Sequence, residues 1–149
     1  MKIGIANDHA GYDYKVKLIS FLTSKGHICS DFGAESDKPC DYPDYAHPLS
    51  CAVEKGEIEF GISICGTGNG VSMTANKHAG IRSAICWAPD IAMLVRKHND
   101  ANVCAIPARF MDFETVCRVV EIFLTTSFEG GRHVKRIMKI PINKDNCCK

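Results

Sequence analysis

The sequence predicts a single α/β domain built on a parallel β-sheet. Short apolar runs rich in Ile, Val, Ala and Cys alternate with longer segments at helical spacing, which is the pattern of repeated βαβ units. The length of 149 residues suits one domain with a sizeable core. Because no internal repeat, low-complexity stretch or linker divides the chain, we expect one domain over 1–149.

The elements follow in order along the chain. The first predicted helix carries Leu18 and Leu22 on one face, and Gly26 follows its end, where a left-handed residue often closes a helix. Pro43 and Pro89 stand where the second and fourth helices open, since a first-turn position needs no amide donor. Strands are predicted near 2–6, 27–32, 60–65, 81–86 and 102–106, and helices near 11–24, 43–55, 70–77, 88–98 and 112–125.

Composition excludes several classes of partner. With 18 basic and 17 acidic residues the net charge is +1, so no long-range field draws the protein to nucleic acid or to an anionic membrane. No apolar stretch approaches the roughly 20 residues that span a bilayer. We therefore predict neither a nucleic-acid partner nor a membrane one.

The nine cysteines indicate reduced thiols rather than a disulfide framework. Their number is odd, no signal peptide precedes them, and no CxxC pair suggests a zinc site. Most are expected to be structural, and Cys147 and Cys148 lie in a polar tail where a function is not indicated. The expected location is the cytoplasm.

A glycine-rich loop follows the apolar run at 60–65. Three glycines within Cys65–Gly70 let the backbone approach a ligand and turn its amides inward, and the helix start after them adds a partial positive charge. This arrangement favours a bound anion, although an ordinary strand–helix connection would also use glycines.

Spacing disfavours the better-known anion loops. The pattern is GxGxG, whereas a dinucleotide fingerprint needs GxGxxG, and the lysine of a P-loop is missing. A cysteine-dependent phosphatase would place an arginine where Val71 closes the loop. Nucleotide binding is therefore disfavoured, and the phosphatase interpretation is weakened.

Cys65 is the candidate reactive group of this loop. Neighbouring amides and a helix N-terminus favour the thiolate form of a cysteine. A thiolate there would serve as a base for a carbon-bound proton, and the same amides would stabilise the resulting enediolate. Thr67 adds a hydroxyl to the same space. An inert buried cysteine is the alternative.

Two further loops are expected beside Cys65, since ligands of open α/β sheets bind at the carboxyl ends of the strands. Asp8 and His9 follow the first strand, and Arg109 follows the last. Asp8 would accept hydrogen bonds from sugar hydroxyls and His9 would donate to a phosphate. A capping aspartate and a surface histidine explain the first pair equally well.

Late in the chain, His98 ends the fourth predicted helix, and Arg132 and Arg136 lie four residues apart. A histidine at a helix C-terminus suits a general acid as well as a simple cap. The arginines would share a helical face and suit phosphate oxygens, but such a pair is more often a solvated surface.

Six sequence segments resemble the motifs of one known family, and they occur in the same order along the chain. They are ANDHAG near the start, DYPDYA at 41–46, CGTGNG at 65–70, NKHAGIR at 76–82, HNDANV at 98–103 and EGGRH at 129–133. Together they resemble ribose-5-phosphate isomerase type B, whose family includes allose-6-phosphate and galactose-6-phosphate isomerases. The resemblance covers nearly the whole chain.

The resemblance implies a Rossmann-like domain whose five-stranded parallel sheet carries helices on both faces, followed by a C-terminal helix. It also implies a homodimer or dimer of dimers with shared active sites, a phosphorylated sugar as substrate, and no metal or organic cofactor. The implied reaction interconverts ribose 5-phosphate and ribulose 5-phosphate in the non-oxidative pentose phosphate pathway.

By the same resemblance each site residue receives a role. Cys65 is the proton-transferring base, with Thr67 beside it, and His98 is the acid that opens the furanose ring. One branch of the family uses a glutamate just after the loop, where this chain has Val71, so only the cysteine mechanism is open to it. The implied substrate-binding residues are Asp8, His9, Tyr42, Gly66, Thr67, Gly68, Asn69, Gly70, Asn99, Arg109, Arg132 and Arg136.

Three departures from the family pattern, Asn7, Asn69 and Pro107, bear on the choice of sugar rather than on the reaction. A hexose 6-phosphate isomerase therefore stays open as an alternative. So does a non-catalytic module that binds sugar phosphates, although the presence of Cys65, Thr67 and His98 together argues against it.

Overall fold

The computed structural model describes residues 1–142 and has the predicted alternation of strands and helices. Its strands are β1 (Lys2–Asn7), β2 (Ile28–Asp31), β3 (Phe60–Cys65), β4 (Ser83–Ile85) and β5 (Val103–Pro107). Its α-helices are α1 (Tyr12–Ser24), α2 (Pro43–Glu54), α3 (Asn69–Ala75), α4 (Pro89–Asn99), α5 (Phe113–Thr125) and α6 (Arg132–Ile137). Cys147 and Cys148 lie outside the described residues.

The five strands form one sheet in the order β2-β1-β3-β5-β4, and every neighbouring pair is parallel. The chain leaves β1 toward β2 on one side and returns to place β3 on the other side. The strand order therefore reverses between β1 and β3, and a crevice opens at their carboxyl ends.

Helices cover both faces of the sheet, as predicted. The larger core contains side chains of α1, α4 and α5 packed on one face, and a second core joins α2 and the end of α3 to the other. The central strands are apolar on both sides because both of their faces are covered. Ile5, Ile62 and Ile106 have no exposed surface.

Local signals place the helix ends where they were predicted. Gly26 has φ of 83° just after α1, and Pro43 and Pro89 occupy the first turns of α2 and α4. A glycine adopts this left-handed conformation without the steric penalty of a Cβ atom. Among the described residues, no helix is both long and apolar enough to cross a membrane.

Strand β4 is shorter than predicted. It begins at Ser83 rather than 81, because the amide of Arg82 donates to the side chain of Asn102 instead of to a neighbouring strand. The expected C-terminal helix is α6, which begins at Arg132 after a turn in which Gly130 and Gly131 adopt φ values of 71° and 55°.

Candidate active site

A cavity of about 240 Å³ lies at the carboxyl ends of β1 and β3, where the strand order reverses. Loops after β1, β3 and β5 and the residue that precedes α2 form its wall. We call it the Cys65 cavity. Its lining residues are Asp8, His9, Ala10, Tyr42, Cys65, Gly66, Thr67, Gly70 and Arg109.

Cys65 is the last residue of β3 and is only 4% exposed. The N–H of Gly68 donates to its Sγ at 3.0 Å. Gly68 adopts φ of 74°, which bends the loop back so that this amide points at the sulfur. The loop therefore folds back over the Cys65 side chain, and one of its backbone amides faces the sulfur.

Two other loop glycines let side chains lie directly against the backbone. A Cβ atom on Gly66 would stand 3.2 Å from Nε of Arg109, and one on Gly70 would stand 2.7 Å from Cζ of Tyr42. The amide of Arg109 also donates to the carbonyl oxygen of Gly66 at 3.1 Å. The missing Cβ atoms thus bring a cation and a phenol into the wall of the cavity.

Asp8 and His9 both line the cavity, and Asp8 is also the capping residue that the sequence allowed. Asp8 caps a short 3-10 helix at His9–Gly11, and its Oδ1 accepts from the N–H of Ala10 at 2.9 Å. Nδ1 of His9 accepts from the N–H of Cys40 at 3.4 Å. That contact assigns the proton of neutral His9 to Nε2, so this ring presents a donor.

The charge of Arg109 is available to a ligand. Within residues 1–142 no carboxylate lies within salt-bridge distance of its guanidinium. Arg109 also lies beside the backbone amides that surround Cys65. Such a guanidinium suits a phosphate or carboxylate, whose oxygens match its planar donors.

Four predicted site residues do not line the Cys65 cavity: His98, Asn99, Arg132 and Arg136. Helix α4 starts after β4 at the carboxyl edge of the sheet and ends before β5 at the amino edge. Its 11 residues span roughly 16 Å at about 1.5 Å per residue. His98 and Asn99, near its end, are therefore separated from Cys65 by the height of the sheet.

At this amino edge of the sheet, His98 contacts His133 and Glu129. Its ring stacks on that of His133 with centroids 4.4 Å apart and an angle of 10° between the planes. Nε2 of His98 lies 3.8 Å from a carboxylate oxygen of Glu129. Burial lowers the pKa of His133, and the neighbouring His98, Arg132 and Arg136 lower it further. Helix α6 contains both arginines, as their spacing predicted.

Asn69 lines a neighbouring hollow rather than the Cys65 cavity. This hollow has a volume of about 450 Å³ and shares Thr67 with the cavity. Trp87 and Phe110, which the sequence analysis missed, form part of its wall and are 61% and 75% exposed. Both residues follow strands at the carboxyl edge, so the rule that located Arg109 would have found them too.

Together, the fold and the cavity define an α/β protein with a small-molecule cavity at the switch point of its sheet, and a buried cysteine and an arginine line that cavity. Comparison with known sequences specifies the class. The model of the family described as "Ribose/Galactose Isomerase" matches residues 3–140. The chain belongs to this family, and the expectation from the six motifs is confirmed.

Individual relatives resemble the chain over nearly its whole length. Ribose-5-phosphate isomerase B of Escherichia coli is 42% identical, over 93% of each chain. The crystal structure of a ribose 5-phosphate isomerase of Thermotoga maritima is 45% identical, with a TM-score of 0.92 over 94% of this chain and 97% of that one. The Mycoplasma genitalium structure with bound ribulose-5-phosphate is 40% identical, with a TM-score of 0.90 over 93% of each chain.

Proposed function

We propose that the protein interconverts D-ribose 5-phosphate and D-ribulose 5-phosphate. The observation that carries the proposal is the buried Sγ of Cys65, held 3.0 Å from the N–H of Gly68 in a cavity that also contains Arg109. The name of the Escherichia coli relative and the ligand of the Mycoplasma genitalium structure support this choice of substrate.

In the proposed reaction, the Cys65 thiolate removes the proton from C2 of the open-chain aldose. The electron pair of that bond forms the C1–C2 double bond, and the carbonyl electrons move to O1, which gives an enediolate. The loop amides stabilise its negative charge. Cys65 then delivers its proton to C1 while the proton of O2 passes to O1, so C2 becomes the ketone carbonyl. The hydroxyl of Thr67, which lines the same cavity, carries that second proton in this proposal.

The substrate contacts of this proposal divide between two chains. Asp8, His9, Tyr42 and Arg109 lie in one cavity with Cys65. Since His98 and Arg132 lie at the opposite edge of the sheet, they do not reach that cavity within the same chain. We infer that a second copy supplies the ring-opening acid and the remaining phosphate ligands, Asn99 and Arg136 among them. The exposed aromatic hollow beside the cavity offers that copy a surface to cover.

The base is tested by the variant Cys65→Ala. A positioned base accelerates a reaction by about 10²- to 10⁴-fold, so kcat should fall at least about 100-fold. The circular dichroism spectrum and Tm should stay near the wild-type values. The matched control is Cys117→Ala, since Cys117 is a half-buried cysteine on α5 outside the cavity. Near-normal turnover by Cys65→Ala would contradict the proposed mechanism.

The shared site is tested by mixing two inactive variants, Cys65→Ala and His98→Gln. Each mixed dimer would contain one site with both substitutions and one site with neither. Random reassembly of equal amounts should therefore restore about a quarter of the wild-type activity, because half of the dimers are mixed. If Cys65 and His98 acted within one chain, reassembly would restore no activity.

Kinetic and proton-exchange measurements distinguish the two alternative functions from the proposed one. A hexose 6-phosphate isomerase would show the higher kcat/KM on allose or galactose 6-phosphate, because one extra carbon must fit between Cys65 and the phosphate ligands. A non-catalytic binding module would bind the sugar phosphate without exchanging its C2 proton with solvent.

A cytoplasmic location remains part of the proposal. All seven cysteines of residues 1–142 are free thiols, which suits a reducing compartment.

A further inference from the structure

A second cluster of reactive side chains lies outside the Cys65 cavity. His47, Cys51 and Glu54 stand on α2 at spacings of four and three residues, so they share one face of that helix. His78 faces them from the turn after α3. None of these four residues lines the Cys65 cavity.

The contacts in this cluster fix the ring of His78. One carboxylate oxygen of Glu54 accepts from Nδ1 of His78 at 2.8 Å, and the other accepts from the N–H of Gly80 at 2.8 Å. With its Nδ1 proton directed to Glu54, neutral His78 presents the lone pair of Nε2 on its other side. That Nε2 lies 2.8 Å from Nδ1 of His47, so one proton is shared between the two rings.

We propose that Nδ1 of His47 and Nε2 of His78 bind a divalent transition-metal ion such as Zn²⁺ in place of that shared proton, which moves to Nε2 of His47. Imidazole nitrogens are ligands that Zn²⁺, Ni²⁺ and Cu²⁺ accept readily. Glu54 acts from outside the coordination sphere: a carboxylate on the far nitrogen orients a metal-binding histidine and increases its basicity. Water completes the coordination, because His47 is exposed.

The distances allow this exchange with a small movement. Two Zn–N bonds of about 2.0–2.1 Å at a tetrahedral angle place the nitrogens roughly 3.3 Å apart. The rings must therefore separate by roughly 0.5 Å from the observed 2.8 Å, which rotation of the exposed His47 side chain provides. The planes of the two rings are inclined by 53°, so the rings are not stacked on each other.

A second group offers ligand atoms within 4.8 Å of one another, namely His98, Glu129 and His133. Its rings, however, are stacked with only 10° between their planes. An ion bound to imidazole lies in the plane of the ring, and two stacked parallel rings do not share such a point. The cluster on α2 is therefore the better site, and the other supplies a control.

Charge also favours the α2 cluster. The carboxylate of Glu54 accepts from the N–H of Gly80 and from Nδ1 of His78, both at 2.8 Å, so it is held next to the His78 ring. Its negative charge offsets part of the charge of a divalent ion one ring away. Cys51 is not a ligand in this arrangement. Its Sγ lies 4.0 Å from Nδ1 of His78, which is the nitrogen bonded to Glu54, whereas the metal ion would bind Nε2.

The experiment titrates the full-length, chelator-treated protein with Zn²⁺ alone and follows binding by calorimetry. His47→Gln and His78→Gln should each lose the tightest binding step of the wild-type protein. Glu54→Gln should weaken that step by about 10- to 100-fold, the usual effect of losing an outer partner. Cys51→Ser and His133→Gln are the matched controls, and both should bind Zn²⁺ as the wild type does.

Binding of Zn²⁺ should also raise the Tm of the wild-type protein but not that of His78→Gln, since a ligand that binds only the folded state stabilises it. Circular dichroism without metal establishes that the variants are folded. The proposal is overturned if both histidine variants keep full affinity, if Cys51→Ser or His133→Gln loses it, or if the wild-type protein shows no saturable binding.

Discussion

The variant Gly68→Ala tests how the loop supports Cys65. Gly68 has φ of 74° and ψ of −16° between β3 and α3, and its N–H donates to Sγ of Cys65 at 3.0 Å. An added Cβ atom would stand 3.1 Å from Cγ2 of Ile85 and 3.4 Å from the backbone nitrogen of Pro107. The substitution therefore strains the backbone and shifts the amide that faces the sulfur.

The two effects have separate magnitudes. A non-glycine residue in the left-handed region costs about 1–2 kcal/mol. For a chain of this length the resulting fall in Tm is roughly 2–8 °C. A hydrogen bond to a charged group contributes about 1.5–3 kcal/mol. If loss of the contact with the amide of Gly68 raises the barrier of the reaction by the same amount, kcat falls by roughly 10- to 150-fold.

The assay measures kcat on ribose 5-phosphate together with Tm. Gly56→Ala is the matched control: Gly56 has φ of 71° in the turn after α2, and its added Cβ atom would meet nothing within 4 Å. This control should lower Tm by a similar amount and leave kcat unchanged. A wild-type kcat in Gly68→Ala, or an equal loss of kcat in Gly56→Ala, would refute the role assigned to the amide of Gly68.

Three further predictions follow from single contacts. In Gly70→Ala the added Cβ atom would stand 2.7 Å from Cζ of Tyr42 and would displace that ring. Steady-state kinetics should then show a KM for ribose 5-phosphate that rises by a larger factor than kcat falls. An unchanged KM would contradict this. Phe123 has no exposed surface, so Phe123→Ala should cost about 3–5 kcal/mol in urea unfolding, and a loss below 1 kcal/mol would contradict its place in the core. Because the pKa of His133 is lowered in the folded protein, the unfolded chain binds more protons below about pH 6.5, and stability should fall as the pH drops from there. Urea unfolding should show this loss in the wild type and less of it in His133→Gln; equal pH dependence in both would show that His133 is not its source.

The sequence predicted the elements well because their signals are local. Alternating apolar runs report which segments are buried, and Pro43, Pro89 and Gly26 mark helix ends through their own backbone preferences. The errors arose where a distant partner intervened. The side chain of Asn102 takes the amide of Arg82 and shortens β4, and no local pattern around 81–86 contains that information.

The candidate site divides in the same way. The loop after β3 was predictable, since a cysteine followed by three glycines is a local pattern with a definite chemistry. Trp87 and Phe110 were missed because an aromatic residue after a strand carries no signal until the strand order places it beside Thr67. The pairing of His47 with His78 was missed for the same reason, since 31 residues separate them in the chain.

By itself, the sequence determined that the chain folds as an α/β domain and that Cys65 ends a buried strand at a glycine-rich turn. The six motifs also established its family. Tertiary structure decided which of these residues meet. Strand order brought Asp8 and Arg109 to Cys65 and placed His98 at the far edge of the sheet. The physical reason is that backbone preference and apolar periodicity act over a few residues, whereas the positions of the strands depend on the packing of the whole core.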